Sequence, residues 1–230
     1  MVEELRGFAP RLCEVAGEAA VRQVIQLGVR RAEGYGLSCC GPIRFYIELM
    51  FTLGSDFDTD PQLPWARSVL TDESVPDEMS RAGKLYEAMC EYCDHVFGPH
   101  NEYAIQALRR ATEIQLEKLD VLQGGIESRG VAMMEAFYPP KASYLGEDTL
   151  RVVVQRGLDL AESHGIARDD GRLLLIGLIF CFGHGVANDR LYPWVADTLR
   201  RSRLDDPDDR AQRLYQKVRV YFDAMLRHLE

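Results

Sequence analysis

The sequence predicts an all-α protein, an internally duplicated helical bundle of two similar units 129 residues apart, joined by a long helical connector. Three observations predict it. An apolar stripe at helical spacing occurs twice, and each stripe is followed by a glycine and then a nearly all-apolar run. The chain also matches itself without gaps when it is displaced by 129 positions. Arg22, Val24, Gln26, Gly28, Ala32, Glu33 and Gly36 recur as Arg151, Val153, Gln155, Gly157, Ala161, Glu162 and Gly165. Ile47, Leu49, Phe51, Gly54, Asp60, Pro64, Trp65 and Leu70 recur as Ile176, Leu178, Phe180, Gly183, Asp189, Pro193, Trp194 and Leu199. Arg81, Ala82, Leu85, Tyr86, Tyr92 and Asp94 recur as Arg210, Ala211, Leu214, Tyr215, Tyr221 and Asp223. A self-match of this extent is the signature of an internal repeat. It sets the expected organisation: a first repeat with a shortened N-terminus over 1–98, the connector and the start of the second unit over 99–140, and a second repeat over 141–230.

The first repeated element, about Glu18 to Tyr35, places Val21, Val24, Ile25, Gly28, Ala32 and Tyr35 on one helical face, and Leu150, Val153, Val154, Gly157, Ala161 and His164 repeat it. Gly28 and Ala32, four apart, allow another helix to approach closely. Gly36 and Gly165, each followed by an apolar residue (Leu37 or Ile166), suit a left-handed helix stop of the Schellman kind. The second element, Ile43 to Leu53 and Arg172 to Phe182, is apolar nearly all round and predicts a central buried helix ended by Gly54 and Gly183. A buried strand has the same apolarity, and the helical setting decides for helix. The third begins at Pro64-Trp65 and Pro193-Trp194, where proline suits a first turn, and runs to about Val69 and Leu199.

Acidic loops follow, Thr71-Asp-Glu-Ser-Val-Pro-Asp-Glu78 and Leu204-Asp-Asp-Pro-Asp-Asp209, whose carboxylates favour the start of a fourth helix. That helix covers about Met79–Val96 and Arg210–His228, with Leu85, Tyr86, Met89, Tyr92, Cys93 and Val96 facing inward. Between the copies, Ala104, Leu108, Ala111, Ile114 and Leu119 predict a long amphipathic helix, with a break at Gly124-Gly125.

A net charge of -9 with scattered Lys and Arg argues against a nucleic-acid or anionic-membrane partner. The longest apolar run, Leu173–Phe182, is about half of what a bilayer span needs. Met1-Val-Glu-Glu-Leu-Arg6 lacks a signal-peptide pattern, and the six cysteines show no secreted disulfide framework. The expectation is a cytoplasmic protein with reduced thiols.

Asp56, Asp58 and Asp60 are spaced like the opening of a calcium loop, but Pro61 replaces the required glycine and Arg67 the closing acid. A metal-dependent hydrolase using the Asp56/Asp58/Asp60 loop is a second reading. The second copy has Gly185, Ala187 and Asp189 there, so only Asp60 is retained, and an Asx turn or cap explains it more simply. Cys90-x-x-Cys93-x-His95 lacks a second ligand pair and reads as a core face. His184, between two glycines, has no nucleophile motif beside it and reads as a loop or capping residue. No catalytic residue, metal site or cofactor is expected.

Gly54, Asp60, Pro64, Trp65, Gly183, Asp189, Pro193 and Trp194 form a structural motif common to both halves. Core packing of each indole is the expected use of the two tryptophans. The residues particular to one copy, Asp56, Phe57 and Asp58, are the candidates for binding a partner.

The stretch Phe51-x-Leu-Gly-x-Asp-Phe-Asp-x-Asp-Pro-x-Leu-Pro-Trp-Ala66 resembles the signature of small helical bacterial proteins from type VI secretion gene neighbourhoods. Gln115-Leu-Glu-Lys-Leu119, Tyr138-Pro139, Leu145-Gly-Glu147, Leu150-Arg151, Gly157, Ala161-Glu162 and Gly165-Ile166 follow the order such proteins show. The second copy departs from the acidic signature at Gly185-Val-Ala-Asn188. The resemblance implies a non-enzymatic accessory factor whose partner is a protein, as an adaptor or chaperone for a secreted effector or spike-tip protein. An immunity protein that neutralises a cognate toxin is the alternative. Whether the buried helices pair across a pseudo-twofold axis or complete two separate cores is left open by the sequence.

Overall fold

The computed structural model describes residues 1–113, 124–200 and 206–229. Among the described residues there are twelve α-helices, two short 3-10 turns and no strand, and no helix is long and apolar enough to cross a membrane. The chain divides into two compact units, Met1–Glu91 with Gly185–Ala196, and Tyr92–His184 with Asp197–Glu230. These units cut across the sequence boundaries at residues 98 and 140. Gly185–Ala196 joins the first unit, where Val186, Leu191 and Val195 are fully buried.

The first unit contains α1 (Val2–Phe8), α2 (Pro10–Ala16), α3 (Glu18–Gly34), α4 (Cys40–Leu53), α5 (Pro64–Leu70) and most of α6 (Glu78–Val96). The second contains α7 (Glu102–Glu113), α8 (Ile126–Phe137), α9 (Pro139–Ser163), α10 (Asp169–Phe182) and α12 (Pro207–Leu229). Helix α11 (Pro193–Arg200) begins among residues of the first unit and ends among those of the second. Ile114 and Leu119, expected on the connector helix, lie outside the described residues, as do Gln115 of the quoted resemblance and residues 204 and 205 of the second acidic loop. On α7 the expected Ala111 is buried together with Ala107, while the expected Ala104 and Leu108 are half-buried.

Helix α3 starts and stops where the apolar stripe predicts and buries Val21, Val24, Gly28 and Ala32. In α9 the corresponding residues Leu150, Val153, Val154, Gly157 and Ala161 are buried. Gly36 takes φ +72, and the Leu37 amide donates to the Ala32 carbonyl at 3.0 Å, the bond that defines a Schellman stop. Gly165 takes φ +68, and the Ile166 amide donates to the Ala161 carbonyl at 2.9 Å. Burial of Leu37 and Ile166, at 1% and 2% exposure, fixes the direction of the chain as it leaves each helix.

Helix α3 packs on α4, and α9 packs on α10. The missing side chain of Gly157 lets the backbone of Ile176 lie close, since a Cβ there would stand 2.8 Å from the Ile176 Cα. At Gly28 a Cβ would meet side-chain atoms only, Ile47 Cγ1 at 2.6 Å and Met50 Sδ at 2.8 Å.

Both apolar helices begin three residues earlier than their apolar runs, at Cys40 and Asp169. Their surroundings differ. Helix α10 is buried almost all round, whereas α4 is not the fully buried helix that the sequence predicts. Arg44, Glu48 and Thr52 recur every fourth residue and form a polar stripe, Arg44 pairing with Glu48 at 2.8 Å and with Glu4 at 3.1 Å. Leu173, Gly177 and Cys181 occupy the corresponding positions of α10.

On α6, Leu85, Tyr92 and Val96 point inward as predicted and Met89 and Cys93 are half-buried. Tyr86 is 59% exposed, lying against Phe45 at 5.9 Å, and is not an inner-face residue. The tryptophans are half-buried instead of enclosed in the core, and Ala66 and Leu70 supply the buried face of α5.

The start of α4 and the end of α10 are satisfied by residues distant in sequence, and the start of α10 by its own aspartates. The Glu78 carboxylate accepts the Ser38 amide at 2.5 Å, the Ser38 hydroxyl at 2.9 Å and the Cys39 amide at 2.9 Å, so it caps α4 from the first turn of α6. These bonds, led by those from Cys39, lower its pKa to about 2. At the start of α10, Asp170 accepts the Gly171 amide at 2.8 Å, and Asp169 pairs with the buried Arg129 at 2.7 Å. At its end, the buried Lys141 ammonium donates to the Phe180 carbonyl and sits 4.9 Å from the Phe180 ring centre.

Gly157→Ala is expected to destabilise the fold by about 2–3 kcal/mol, since backbone must move, and Gly28→Ala by roughly 1 kcal/mol, since flexible side chains can yield. Urea midpoints for the two variants measure the difference. The Glu78 carboxylate is held below its ordinary pKa of 4.5, so the folded chain binds fewer protons than the unfolded one in that range. Its contribution to stability is complete above pH 4.5 and falls as the pH drops toward about 2. Glu78→Gln is therefore expected to flatten the pH dependence of the urea midpoint across that window.

Candidate functional site

The acidic stretch after α4 closes into a tight, internally bonded turn. Gly54 leaves the helix at φ +100, and residues Phe57–Thr59 form a 3-10 turn. Asp60 then accepts the Gln62 amide at 2.9 Å on its side chain and the Leu63 amide at 2.9 Å on its backbone. This is the Asx turn expected of it, and it delivers the chain to Pro64 at the first position of α5. Asp189 does the same in Gly185–Ala196, accepting the Leu191 amide at 2.9 Å on its side chain and the Tyr192 amide at 3.1 Å on its backbone. Pro193 then opens α11, as the sequence predicts.

Asp189 has a further role. Its carboxylate accepts the Ser55 amide at 2.8 Å and the Ser55 hydroxyl at 2.6 Å. Burial pushes the Asp189 pKa up, and the hydrogen bonds from Ser55 and Leu191 work against that rise. Ser55, directly after Gly54, is thus fastened to the aspartate that follows Gly183.

The three one-copy residues separate in the structure. Phe57 is 1% exposed, its ring 4.9 Å from that of Tyr46. Asp58 is 3% exposed and accepts the Tyr35 hydroxyl at 3.0 Å. Asp56 keeps 26% of its side-chain surface and pairs with Arg31 at 2.5 Å. The same guanidinium donates to the Ser55 carbonyl at 2.6 Å and lies 3.6 Å from Asp58. Phe57 and Asp58 therefore stand inside the fold and present nothing to a partner; of the three candidates only the Asp56 edge reaches the surface.

Arg31 binds the cluster together, and sequence reasoning passed over it. Burial opposes its charge, but the bond to Asp56 and the charges of Asp56 and Asp58 outweigh that, and its pKa is raised. Burial and then the Asp58 charge raise Tyr35 to about 12 and also raise Tyr46. The buried Tyr46 hydroxyl feels that charge without making a hydrogen bond of good geometry. A signal was present in the sequence. Arg31, Asp56 and Asp58 have Leu160, Gly185 and Ala187 as their counterparts at the 129-residue offset, so a cation is lost together with two anions.

Asp56 and Gly185, which align with one another at that offset, are in contact. A side chain on Gly185 would collide with the Asp56 carboxylate, whose Cγ lies 2.8 Å from the position of a Cβ. A second aspartate there would have neither space nor a compatible charge.

Chemically the cluster turns its acceptors toward groups of the chain itself, the buried Asp58 Oδ1 having the Arg31 guanidinium at 3.6 Å and no hydrogen bond. Asp56 and Asp58 are committed to Arg31 and Tyr35, Asp60 to Gln62 and Asp189 to Ser55. Among the described residues no three His, Cys, Asp or Glu side chains are gathered as a metal site would require, including the Asp56/Asp58/Asp60 loop and the Cys90–His95 stretch. His184 is half-buried beside Gly183, and Cys90 and Cys93 are half-buried on α6. No protein-family model matches the chain, and no curated protein or solved structure matches it.

Arg31→Leu is expected to cost about 2–4 kcal/mol, because two acids are left near each other with no cation. Adding Asp56→Gly and Asp58→Ala, the residues found at the counterpart positions, should recover at least about 1 kcal/mol of it. Chemical denaturation of the single and triple variants tests this coupling. Asp189→Ala leaves the Ser55 and Leu191 amides without an acceptor and is expected to lose about 2–4 kcal/mol.

Proposed function

We propose that the protein is a non-enzymatic accessory factor that binds another protein, an adaptor or chaperone for a type VI secretion effector or spike-tip protein. The observation that carries this reading is the use of the acidic motif. Its carboxylates hold the fold shut, as acceptors of hydrogen bonds and ion pairs within the chain, so they support a scaffold more than a reaction centre. The resemblance to helical proteins of type VI secretion neighbourhoods supplies the class of partner. A cytoplasmic location accords with that reading.

We also propose that the chain arose by tandem duplication. The support is local and repeated: two Schellman stops, two glycine-ended apolar helices, two Asx turns leading to Pro-Trp, and two arginines that close similar corners. Arg81 donates to the Tyr35 carbonyl, and Arg210 donates to the His164 carbonyl at 2.8 Å.

The surface offered to a partner includes α6, where Met79 and Tyr86 are 58% and 59% exposed one helical heptad apart on the same face. Exposed aromatic and methionine side chains are the usual anchors of such contacts. Tyr86→Asp is expected to weaken capture of the neighbouring gene's product about tenfold or more, with an unchanged melting temperature. Co-purification from the native operon followed by a secretion assay separates the roles. An adaptor is required for export, whereas protection of cells from the toxin would assign the immunity role. Absence of a complex with either product rejects the proposal.

A further inference from the structure

On the reading that the chain binds another protein, we infer that the side of α6 carrying Met79, Ala82, Tyr86 and Met89 docks a cationic amphipathic helix of that partner. The incoming helix has small residues on its buried side and Lys or Arg beside them. The second unit shows what covers a face of this kind. Helix α7 packs along α12 there, with Ala107 and Ala111 buried. Ala111 lines one apolar recess together with Tyr215 and Val218. At the 129-residue offset Ala211, Tyr215 and Val218 of α12 correspond to Ala82, Tyr86 and Met89 of α6. The three α12 residues are buried, Tyr215 at 8% exposure, whereas Ala82 and Met89 are half-buried and Tyr86 is 59% exposed. The same alanine and tyrosine are thus enclosed in one unit and open in the other. Met79, also exposed, extends the open side along α6, and the half-buried Phe45 of α4 flanks it. Small residues on an incoming helix permit the close approach that covers such a face.

Charge selects the partner. Glu87 and Glu91 of α6 stand where α12 has Gln216 and Val220, and Ala88 and Cys90 stand where it has Lys217 and Arg219. Over these positions α6 is therefore four charges more negative than α12. The first unit as a whole holds sixteen acidic and ten basic side chains, so it attracts a cationic segment at long range. A second copy of this chain would set the same carboxylates against one another, and that repulsion disfavours it as the occupant.

The test is titration of the full chain, labelled with methyl-¹³C methionine, with two synthetic peptides of about 20 residues, long enough to form helix alone. One has Ala and Leu on one face and Lys on the other, and its comparison has Glu for every Lys. The expected result is a saturable shift of the Met79 and Met89 methyls with the Lys peptide, at least tenfold weaker with the Glu peptide. Glu87→Lys combined with Glu91→Lys should reverse that preference. Tyr86→Ala should weaken the Lys peptide about tenfold with an unchanged melting temperature. An equal response to the two peptides, a preference unaltered in the double variant, or no shift at Met79 and Met89 overturns the assignment. Sedimentation that finds a dimer dissolved by Tyr86→Ala overturns it in favour of a second copy. A neighbouring gene's product that co-purifies equally with the chain and with its Glu87→Lys/Glu91→Lys variant removes this site while the protein-binding reading stands.

Discussion

Putting an apolar helix into a protein interior leaves the amides of its first turn and the carbonyls of its last turn to be satisfied without water. Helices α4 and α10 meet that demand with charge, brought from elsewhere in the chain except at the start of α10. Anions stand at the starts, Glu78 at α4 and Asp169 and Asp170 at α10. Cations stand at the ends, Arg31 on the Ser55 carbonyl just beyond α4 and Lys141 on the Phe180 carbonyl within the last turn of α10. Each has the sign that the helix dipole favours. Glu78, Arg31 and Lys141 are remote in sequence from the groups they meet, so these contacts fix tertiary arrangement and helix termination together.

The same economy accounts for Asp56 and Asp58 having the uncharged Gly185 and Ala187 at the 129-residue offset. Asp56 lies against Gly185, its own counterpart, and Arg31 supplies the positive charge that Asp56 and Asp58 need. A charged pair in one half and small apolar residues in the other form a compatible set, whereas two acidic versions would bring like charges together. The stretch spaced like the opening of a calcium loop folds as an internal ion cluster.

Much of the helical framework was legible in the sequence. The stripe of α3, the glycine stops at Gly36 and Gly165, the Asx turns at Asp60 and Asp189 and the proline starts of α5 and α11 depend on local sterics and nearby hydrogen bonds. Burial was less legible. Tyr86 sits one position round from the true inner face of α6, and Phe57 disappears beneath Tyr46 although its neighbours are all polar. The apolarity of α4 concealed a polar stripe because three residues spaced by four are few among many hydrophobes.

By itself the sequence determined that this protein is helical, where its helices break, and which glycines, prolines and aspartates end or begin them, because those choices are made within a turn or two of chain. Only the tertiary structure decided the partners: Glu78 for Cys39, Arg31 for Asp56, Asp189 for Ser55, and the grouping of Gly185–Ala196 with the first unit. These pairs are separated by 25 to 134 positions, and no periodicity reports which distant charge will fill a given buried vacancy. The physical reason is that hydrogen-bond satisfaction in the interior is a condition on the whole fold, whereas helix initiation and termination are conditions on the segment.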